Sequence, residues 1–210
     1  MIDDPVFCGL AVIFTFIFLL SVGSFFKIIP SLGDCVMRWK GNLDLEDSLQ
    51  LSGSRNWMVM VLFVPLCMVV YSHGLYQPDY MESLPPAPGL AATCGTMLAY
   101  LVLRSFLNWQ LEMGAYRTKT FTAANHAFFN YIIILFLIVF PVGAILNISV
   151  GNKELTRVVL LHVIAVTYLF HIFRRGQIFA SACNPFTTFL YLCGLELLPT
   201  TALVLSAKLL

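Results

Sequence analysis

Six long apolar stretches alternate with shorter polar connections along the chain. They lie near residues 6–26, 57–76, 89–108, 127–147, 157–175 and 186–207. A helix needs about 20 residues to cross a hydrocarbon core of about 30 Å. Because lipid offers no hydrogen-bond partner to the backbone, each stretch is expected to be α-helical. The pattern predicts an all-α fold, a polytopic membrane bundle of about six transmembrane helices, in a single domain that covers residues 1–210.

The polar connection between the first two stretches, residues 27–55, has an amphipathic pattern. Ile28, Leu32, Val36 and Trp39 recur near helical spacing, with charged residues between them. A helix of this kind buries its apolar side at the membrane surface and turns its charges to water. The sequence therefore predicts an interfacial helix between the first two spans, with an ordinary polar loop as the alternative.

The composition agrees with a membrane environment. Hydrophobic residues make up 59% of the chain and charged residues 11%, and the mean hydropathy is +0.85. A soluble domain rarely has so apolar a composition, so membrane lipids are the expected surroundings. The net charge is +1 and no basic, aromatic-rich patch occurs, so no nucleic acid partner is expected. The six cysteines have no metal-ligand spacing, and no metal site is predicted.

The distribution of Lys and Arg predicts an orientation. With the N-terminus outside, nine of the twelve basic residues fall on the inner side and three on the outer side. Basic residues accumulate on the cytoplasmic side of membrane proteins. Both termini are therefore expected to face the periplasm or exterior.

The last apolar stretch contains an acidic residue, Glu196. A glutamate side chain is too short to reach water from this depth, and a charge inside a membrane is costly. Pro199 removes the backbone hydrogen bond to the carbonyl of Leu195, and the hydroxyl of Thr200 follows. A carboxylate beside such groups is typical of a site for a proton, a cation or a donor from another helix. The alternative is a purely structural buried hydrogen bond.

Polar residues on three other helices reach the cytoplasmic half of the bundle. They are Arg104 and Asn108 on the third helix, Asn130 on the fourth, and Arg174 and Arg175 on the fifth. We interpret this set as a water-accessible site in which the arginines position an anion and Glu196 carries a proton or a cation. The alternative is that the arginines extend to anionic lipid headgroups.

The four histidines suggest a second kind of function. His126 and His171 fall toward the inner side, and one pair of this kind is enough to ligate a b-type haem. The alternative is that these histidines make buried or interfacial hydrogen bonds. Apart from this haem alternative, no cofactor is predicted.

A stripe of small residues on the third helix indicates close packing. Ala91, Gly95 and Ala99 are spaced by four, which lets another helix backbone approach closely. The contact is either within the chain or with a homo-oligomer or membrane-protein partner. No sequence signature of a protease, a hydrolase or a phosphate-binding loop occurs, so the chain is not evidently an enzyme.

The C-terminal third carries a family resemblance. The segments "FHIFRRGQIF" and "NPFTTFLYLCGLELLPTTALVL" resemble an uncharacterised family of integral membrane proteins from Bacteroidetes, classed as a domain of unknown function. Its pattern is an Arg-Gly step ending one helix and a Leu-Tyr-x-Cys-x-Leu-Glu-x-x-Pro signature on the last. The matching positions are Arg175, Gly176, Leu190, Tyr191, Cys193, Leu195, Glu196 and Pro199. A looser similarity covers residues 104–130.

The resemblance implies a location in a bacterial inner membrane and emphasises the helix of Glu196, but it implies no activity. Together with the polar set, it favours a transporter-like protein or an accessory subunit with a polar site in the cytoplasmic half centred on Glu196. A structural scaffold subunit of an envelope or secretion complex and a b-type haem redox subunit are the alternatives.

Overall fold

The computed structural model describes residues 5–114, 119–149 and 151–209, and these ranges contain helices and no strands. The helices are α1 (Pro5–Met37), α2 (Gly41–Asp47), α3 (Leu49–Ser72), α4 (Asp79–Glu82), α5 (Pro86–Gly114), α6 (Lys119–Ser149), α7 (Lys153–Ala180), α8 (Pro185–Leu192) and α9 (Leu198–Leu209). A π-helical turn, Cys193–Leu197, joins α8 to α9 in one continuous span.

Six helices are long and apolar enough to cross a membrane: α1, α3, α5, α6, α7 and the continuous segment Pro185–Lys208. The predicted all-α polytopic bundle is therefore confirmed. Helices α1 and α7 end on the same side of the bundle, beside α2, and we call this side the α2 end. The opposite side, beside α4, is called the α4 end. Neighbouring helices run up and down between these ends, with α1 packed on α3 and α6 packed on α7.

The connection between the first two spans differs in detail from the predicted interfacial helix. A short helix, α2, does lie there, but it begins at Gly41. Ile28 and Leu32 belong instead to α1, where they are buried against Met58 and Phe128. The apolar stripe thus continues the first span because it packs into the bundle core, and α2 follows as a separate cap with Leu45 buried.

Of the three apolar clusters among the described residues, two lie around the polar residues of the bundle. The larger joins α1, α3 and α6 near Ile28, Leu62 and Ile133. The smaller lies beside the π-helical turn, where the ring of Phe121 is 5.1 Å from that of Phe179 and 5.0 Å from that of Tyr191. Because lipid tails are as apolar as these side chains, such cores are held by close packing. The smaller cluster fixes the position of the turn that carries Glu196.

The small-residue stripe of α5 does not pack inside the chain. Ala91, Gly95 and Ala99 are exposed on the surface of the bundle, and a Cβ added at Gly95 would meet no atom within 4 Å. The close approach of α5 to α3 occurs at Gly89, where an added Cβ would lie 2.6 Å from the hydroxyl oxygen of Tyr71. The described part of the chain therefore leaves the stripe exposed, and its contact with another chain stays a prediction.

Candidate functional site

The carboxylate of Glu196 lies in the middle of the last span. It is fully buried, eleven residues beyond Pro185, which is about 16 Å at the rise of an α-helix. The backbone around it forms a π-helical turn, in which the amide of Leu198 donates to the carbonyl of Cys193. Pro199 has no N–H, so the ordinary helical ladder is interrupted here. Such turns within α-helices occur often at functional sites.

Two arginines hold this carboxylate. Arg104 on α5 donates from Nη1 to Oε2 and from Nη2 to Oε1, both at 2.5 Å. Arg175 on α7 donates from Nη1 to Oε1. All three side chains are at most 3% exposed. Paired bonds between a guanidinium and a carboxylate are among the strongest hydrogen bonds in proteins and fix the geometry as well.

A histidine contacts the same carboxylate. His171 Nε2 lies 3.2 Å from Oε1 of Glu196, and the His171 side chain is 4% exposed. Its ring stacks on Tyr131 with 4.8 Å between the centroids. His171 therefore belongs to the Glu196 cluster, in which we include Glu196, Arg104, Arg175 and His171.

Two asparagines position the second arginine. Arg175 donates from Nη2 to Oδ1 of Asn108 at 3.3 Å and to Oδ1 of Asn125 at 3.0 Å. Asn108 is among the predicted site residues, and it lies where expected. Asn125 is not predicted, and its only sequence signal is an amide next to His126, at the start of the apolar run of α6. Asn125 and His126 are adjacent in sequence, and their side chains point about 100° apart around the helix, so they contact different neighbours.

Hydroxyl groups contact the backbone of the turn. The Tyr168 hydroxyl donates to the carbonyl oxygen of Glu196 at 2.9 Å and lies 2.8 Å from Oγ1 of Thr200. The Tyr100 hydroxyl is 3.3 Å from the same Thr200 oxygen. Thr200 is thus close to the site as predicted, whereas Tyr168 is not among the predicted site residues.

The Glu196 cluster carries an excess of positive charge. Among the described side chains, it places two guanidinium groups against one carboxylate. Part of the excess is met by aromatic rings, since Arg104 Cζ is 3.5 Å from the centroid of Phe128 and Arg175 Cζ is 5.3 Å from that of Phe179. Arg175 Nε is buried with no hydrogen-bond partner among the described atoms. The arrangement therefore suits a second negative charge.

Two predicted site residues lie away from Glu196. Arg174 donates to the carbonyl oxygens of Val36 at 2.5 Å and Met37 at 3.0 Å, so it caps the C-terminus of α1. Asn130 donates to Oδ1 of Asn42 on α2 at 2.8 Å. Both residues bind the α2 end of the bundle together.

A second group of charged residues lies at the α2 end. Glu46 on α2 accepts from Arg55 Nη1 at 2.7 Å through Oε2, and its Oε1 lies 2.7 Å from Nδ1 of His126. The Glu46 side chain is 21% exposed and that of His126 is 32% exposed, whereas that of Arg55 is 1% exposed. We call these three residues the Glu46 cluster.

The two haem candidates lie in different clusters. His126 contacts Glu46, and His171 contacts Glu196 through the nitrogen that commonly ligates iron. The ring of His171 is also stacked on Tyr131, which occupies one of its faces. This geometry favours hydrogen bonding over haem ligation. The haem alternative stays a prediction, and a visible spectrum of protein from haem-sufficient cells, with or without a Soret band, tests it.

No protein-family model, curated protein or solved structure matches this chain. The resemblance of its C-terminal third to a Bacteroidetes membrane family therefore stays a prediction. A function for the chain has to follow from the geometry of its own described side chains.

Proposed function

We propose that the chain is a multi-pass protein of a bacterial cytoplasmic membrane, transporter-like in type, in which Glu196 occupies an anion site formed by Arg104 and Arg175. Glu196 leaves this site when its carboxylate takes up a proton, and a small anion such as chloride or nitrate replaces it. The periplasmic position of both termini and the membership of the Bacteroidetes family are parts of the same proposal.

The charge of the Glu196 cluster carries the proposal. Two guanidinium groups and one carboxylate are buried together, at most 3% exposed, in the middle of the bundle. Removing an ion from water costs several kcal/mol, so an uncompensated charge at this depth is unfavourable. A purely structural ion pair needs only one arginine. The second arginine supports a role in which negative charges alternate at the same place.

The contacts of the carboxylate favour an anion and a proton over a metal cation. Both oxygens of Glu196 already face donors from Arg104 and Arg175, and a cation brought to them would meet these two positive groups. An anion that replaces the carboxylate instead keeps the same donors. His171, at 3.2 Å from Oε1, is the group that would pass a proton to Glu196.

Anion uptake by vesicles that contain the purified protein tests this function. The vesicles enclose a chloride-sensitive dye and a pH-sensitive dye, and a chloride gradient is applied with the membrane potential clamped by potassium and valinomycin. The wild-type chain is expected to admit chloride and protons faster than protein-free vesicles. Glu196→Gln is expected to admit chloride without protons, because the neutral amide leaves the arginines free but carries no titratable proton.

A matched control is available at Glu154, an exposed acid in the first turn of α7. Glu154→Gln removes the same charge far from the site and is expected to behave as the wild type. Gel filtration in detergent establishes that each variant is folded. Wild-type chloride uptake equal to that of protein-free vesicles would contradict the transporter proposal.

A second candidate, an accessory or scaffold subunit, is favoured by the exposed stripe of Ala91, Gly95 and Ala99. Small residues on a lipid-facing surface allow a partner helix to approach closely. Gly95→Leu is expected to abolish association with a second copy or a partner membrane protein, and Val102→Leu on the same helix serves as the exposed control. An unchanged mass of the purified complex in Gly95→Leu would contradict this candidate.

A further inference from the structure

A small cavity lies between α1, α2, α6 and α7, on the side of the Glu196 cluster that faces the α2 end. Its volume is about 40 Å³. Polar side chains from three of these four helices line it, namely Asn42, Asn130, Thr167, His171 and Arg174. A cavity needs about 10–15 Å³ to hold one water molecule, so this one is large enough.

Two buried polar atoms of the lining have no hydrogen-bond partner among the described residues. They are Oδ1 of Asn130, an acceptor, and Nε of Arg174, a donor. Asn130 is 2% exposed, and its amide nitrogen is already used by Asn42. Buried polar atoms in proteins are nearly always paired, with protein groups or with ordered water. The free acceptor and the free donor therefore indicate a ligand.

The chemistry of the lining selects water among small ligands. A cation would meet the guanidinium of Arg174, and an anion would meet the carbonyl oxygen of Asn130. Water both donates and accepts, so it can satisfy the free acceptor on α6 and the free donor on α7. The cavity is too small for an organic substrate, since sites for such ligands have volumes of about 300–1,000 Å³.

His171 connects this cavity to the Glu196 cluster. Its Nε2 faces Oε1 of Glu196 at 3.2 Å, while the residue itself lines the cavity. The two ring nitrogens of a histidine are distinct, and a proton accepted at one can be balanced by release from the other. A water in the cavity would thus stand one histidine away from the buried carboxylate.

We propose that the cavity binds ordered water and that this water links His171 to the α2 end of the bundle. The α2 end is then the side from which protons reach Glu196, and α2 is the cover of the path, held by Asn42 on Asn130 and by Glu46 on Arg55. The direction of access rests on the proposed function, whereas the bound water does not.

Radiolytic hydroxyl-radical footprinting of the intact protein, read by mass spectrometry, tests the bound water. Millisecond X-ray exposure forms radicals from water, including water inside proteins, and these radicals oxidise neighbouring thiols. Cys35 lines the cavity and is 4% exposed, and Cys67 is 1% exposed in an apolar cluster with Phe7 and Leu90. Cys35 is expected to be oxidised at least about fivefold faster than Cys67, because buried water is adjacent to one thiol only.

Variants establish that the cavity is the source of the effect. Asn130→Leu fills the cavity with apolar atoms and is expected to bring the oxidation rate of Cys35 down to that of Cys67. Thr167→Val changes the lining with little change of shape and is expected to lower the rate in the same direction. Asn147→Leu, at an exposed position near the end of α6, is the matched control and is expected to leave the rate unchanged.

The outcomes separate this inference from the proposed function. Equal oxidation of Cys35 and Cys67 in the wild-type protein would overturn the inference, whatever the anion measurements give. Fast oxidation of Cys35 that Asn130→Leu abolishes would support it, even if the vesicles admit no chloride. Fast oxidation of Cys35 that persists in both cavity variants would also overturn it, because the radicals would then come from elsewhere.

Discussion

The Glu196 and Glu46 clusters contain the same three residue types in different surroundings. Each joins a glutamate to arginine and histidine, at distances between 2.5 and 3.2 Å for the contacts of Arg104, His171, Arg55 and His126. The glutamate is fully buried in the first cluster and 21% exposed in the second. Water at Glu46 screens its charge, so the comparison separates the chemistry of the groups from the effect of depth.

The clusters also differ in charge. The Glu46 cluster pairs one carboxylate with one guanidinium, and the Glu196 cluster pairs one carboxylate with two. Among the described side chains, the ion pair at the bundle end is therefore balanced, and the one in the interior has a positive excess. Depth without balance is costly, and our proposal of a function for the Glu196 cluster and of a structural role for the Glu46 cluster rests on this difference.

The largest expected difference is in the stability lost when each glutamate is replaced by glutamine. Glu196→Gln should lower the free energy of unfolding by about 3–5 kcal/mol in chloride-free buffer, because it leaves two guanidinium groups buried without a carboxylate. Glu46→Gln should lower it by less, about 1–3 kcal/mol, because it leaves one buried guanidinium, Arg55 at 1% exposed, in place of two. Unfolding in mixed detergent micelles with increasing dodecyl sulfate measures both. Equal losses in the two variants would contradict the comparison.

The charge excess predicts an asymmetry inside the Glu196 cluster. Arg175→Met and Glu196→Gln both remove the contact between these two residues, but Arg175→Met leaves the balanced pair of Arg104 and Glu196. Arg175→Met should therefore be less destabilising than Glu196→Gln, by about 1–3 kcal/mol. The same unfolding measurement applies. A larger loss in Arg175→Met would show that the second arginine is purely structural.

Replacing the buried histidine should cost more stability than replacing the partly exposed one, as for the two glutamates. His171→Gln is expected to lower the free energy of unfolding by about 1–2 kcal/mol, because a buried hydrogen bond to a charged group is altered and the stacking on Tyr131 is lost. His126→Gln should change it by less than about 0.5 kcal/mol at the half-exposed site. A greater loss of stability in His126→Gln than in His171→Gln would show that burial does not determine how much each cluster contributes to stability.

A smaller effect than the loss of His171 is expected from the loss of the Tyr168 hydroxyl group beside the π-helical turn. Tyr168→Phe removes the donor to the Glu196 carbonyl and should cost about 1 kcal/mol. Tyr80→Phe, on the exposed surface of α4, is the control and should be neutral. Thermal denaturation followed by tryptophan fluorescence is sensitive enough for this comparison. A neutral Tyr168→Phe would indicate that the π-helical turn needs no support from α7.

Much of the fold follows from hydropathy, whereas the site follows only in part. The six spans are predictable because lipid requires backbone hydrogen bonds inside each segment. Glu196 is identified by the cost of its burial, and Arg104 and Arg175 by their depth. The depth of a residue in the membrane does not determine, however, which neighbouring helix its side chain faces. Arg174 and Arg175 are neighbours in sequence and point about 100° apart, so only one of them reaches Glu196.

The remaining differences have the same origin. Asn130 has a suitable depth but faces Asn42, and Asn125 and Tyr168 contact the site through tertiary packing that the sequence does not encode locally. The stripe of Ile28 and Leu32 is equally suited to a membrane surface and to a protein core. In the structure it lies in α1, which at 33 residues is longer than a span needs, and it packs against α3 and α6.

Chloride binding by Glu196→Gln tests the central claim most directly. The melting temperature of this variant is measured while gluconate is exchanged for chloride at constant ionic strength, beside the double variant with Arg175→Met. We predict that chloride raises the melting temperature of Glu196→Gln, because a ligand that binds the folded state alone stabilises it, and that the rise is clearly smaller in the double variant, which has lost one of the two guanidinium groups. Identical responses of the two variants to chloride would contradict an anion site between Arg104 and Arg175.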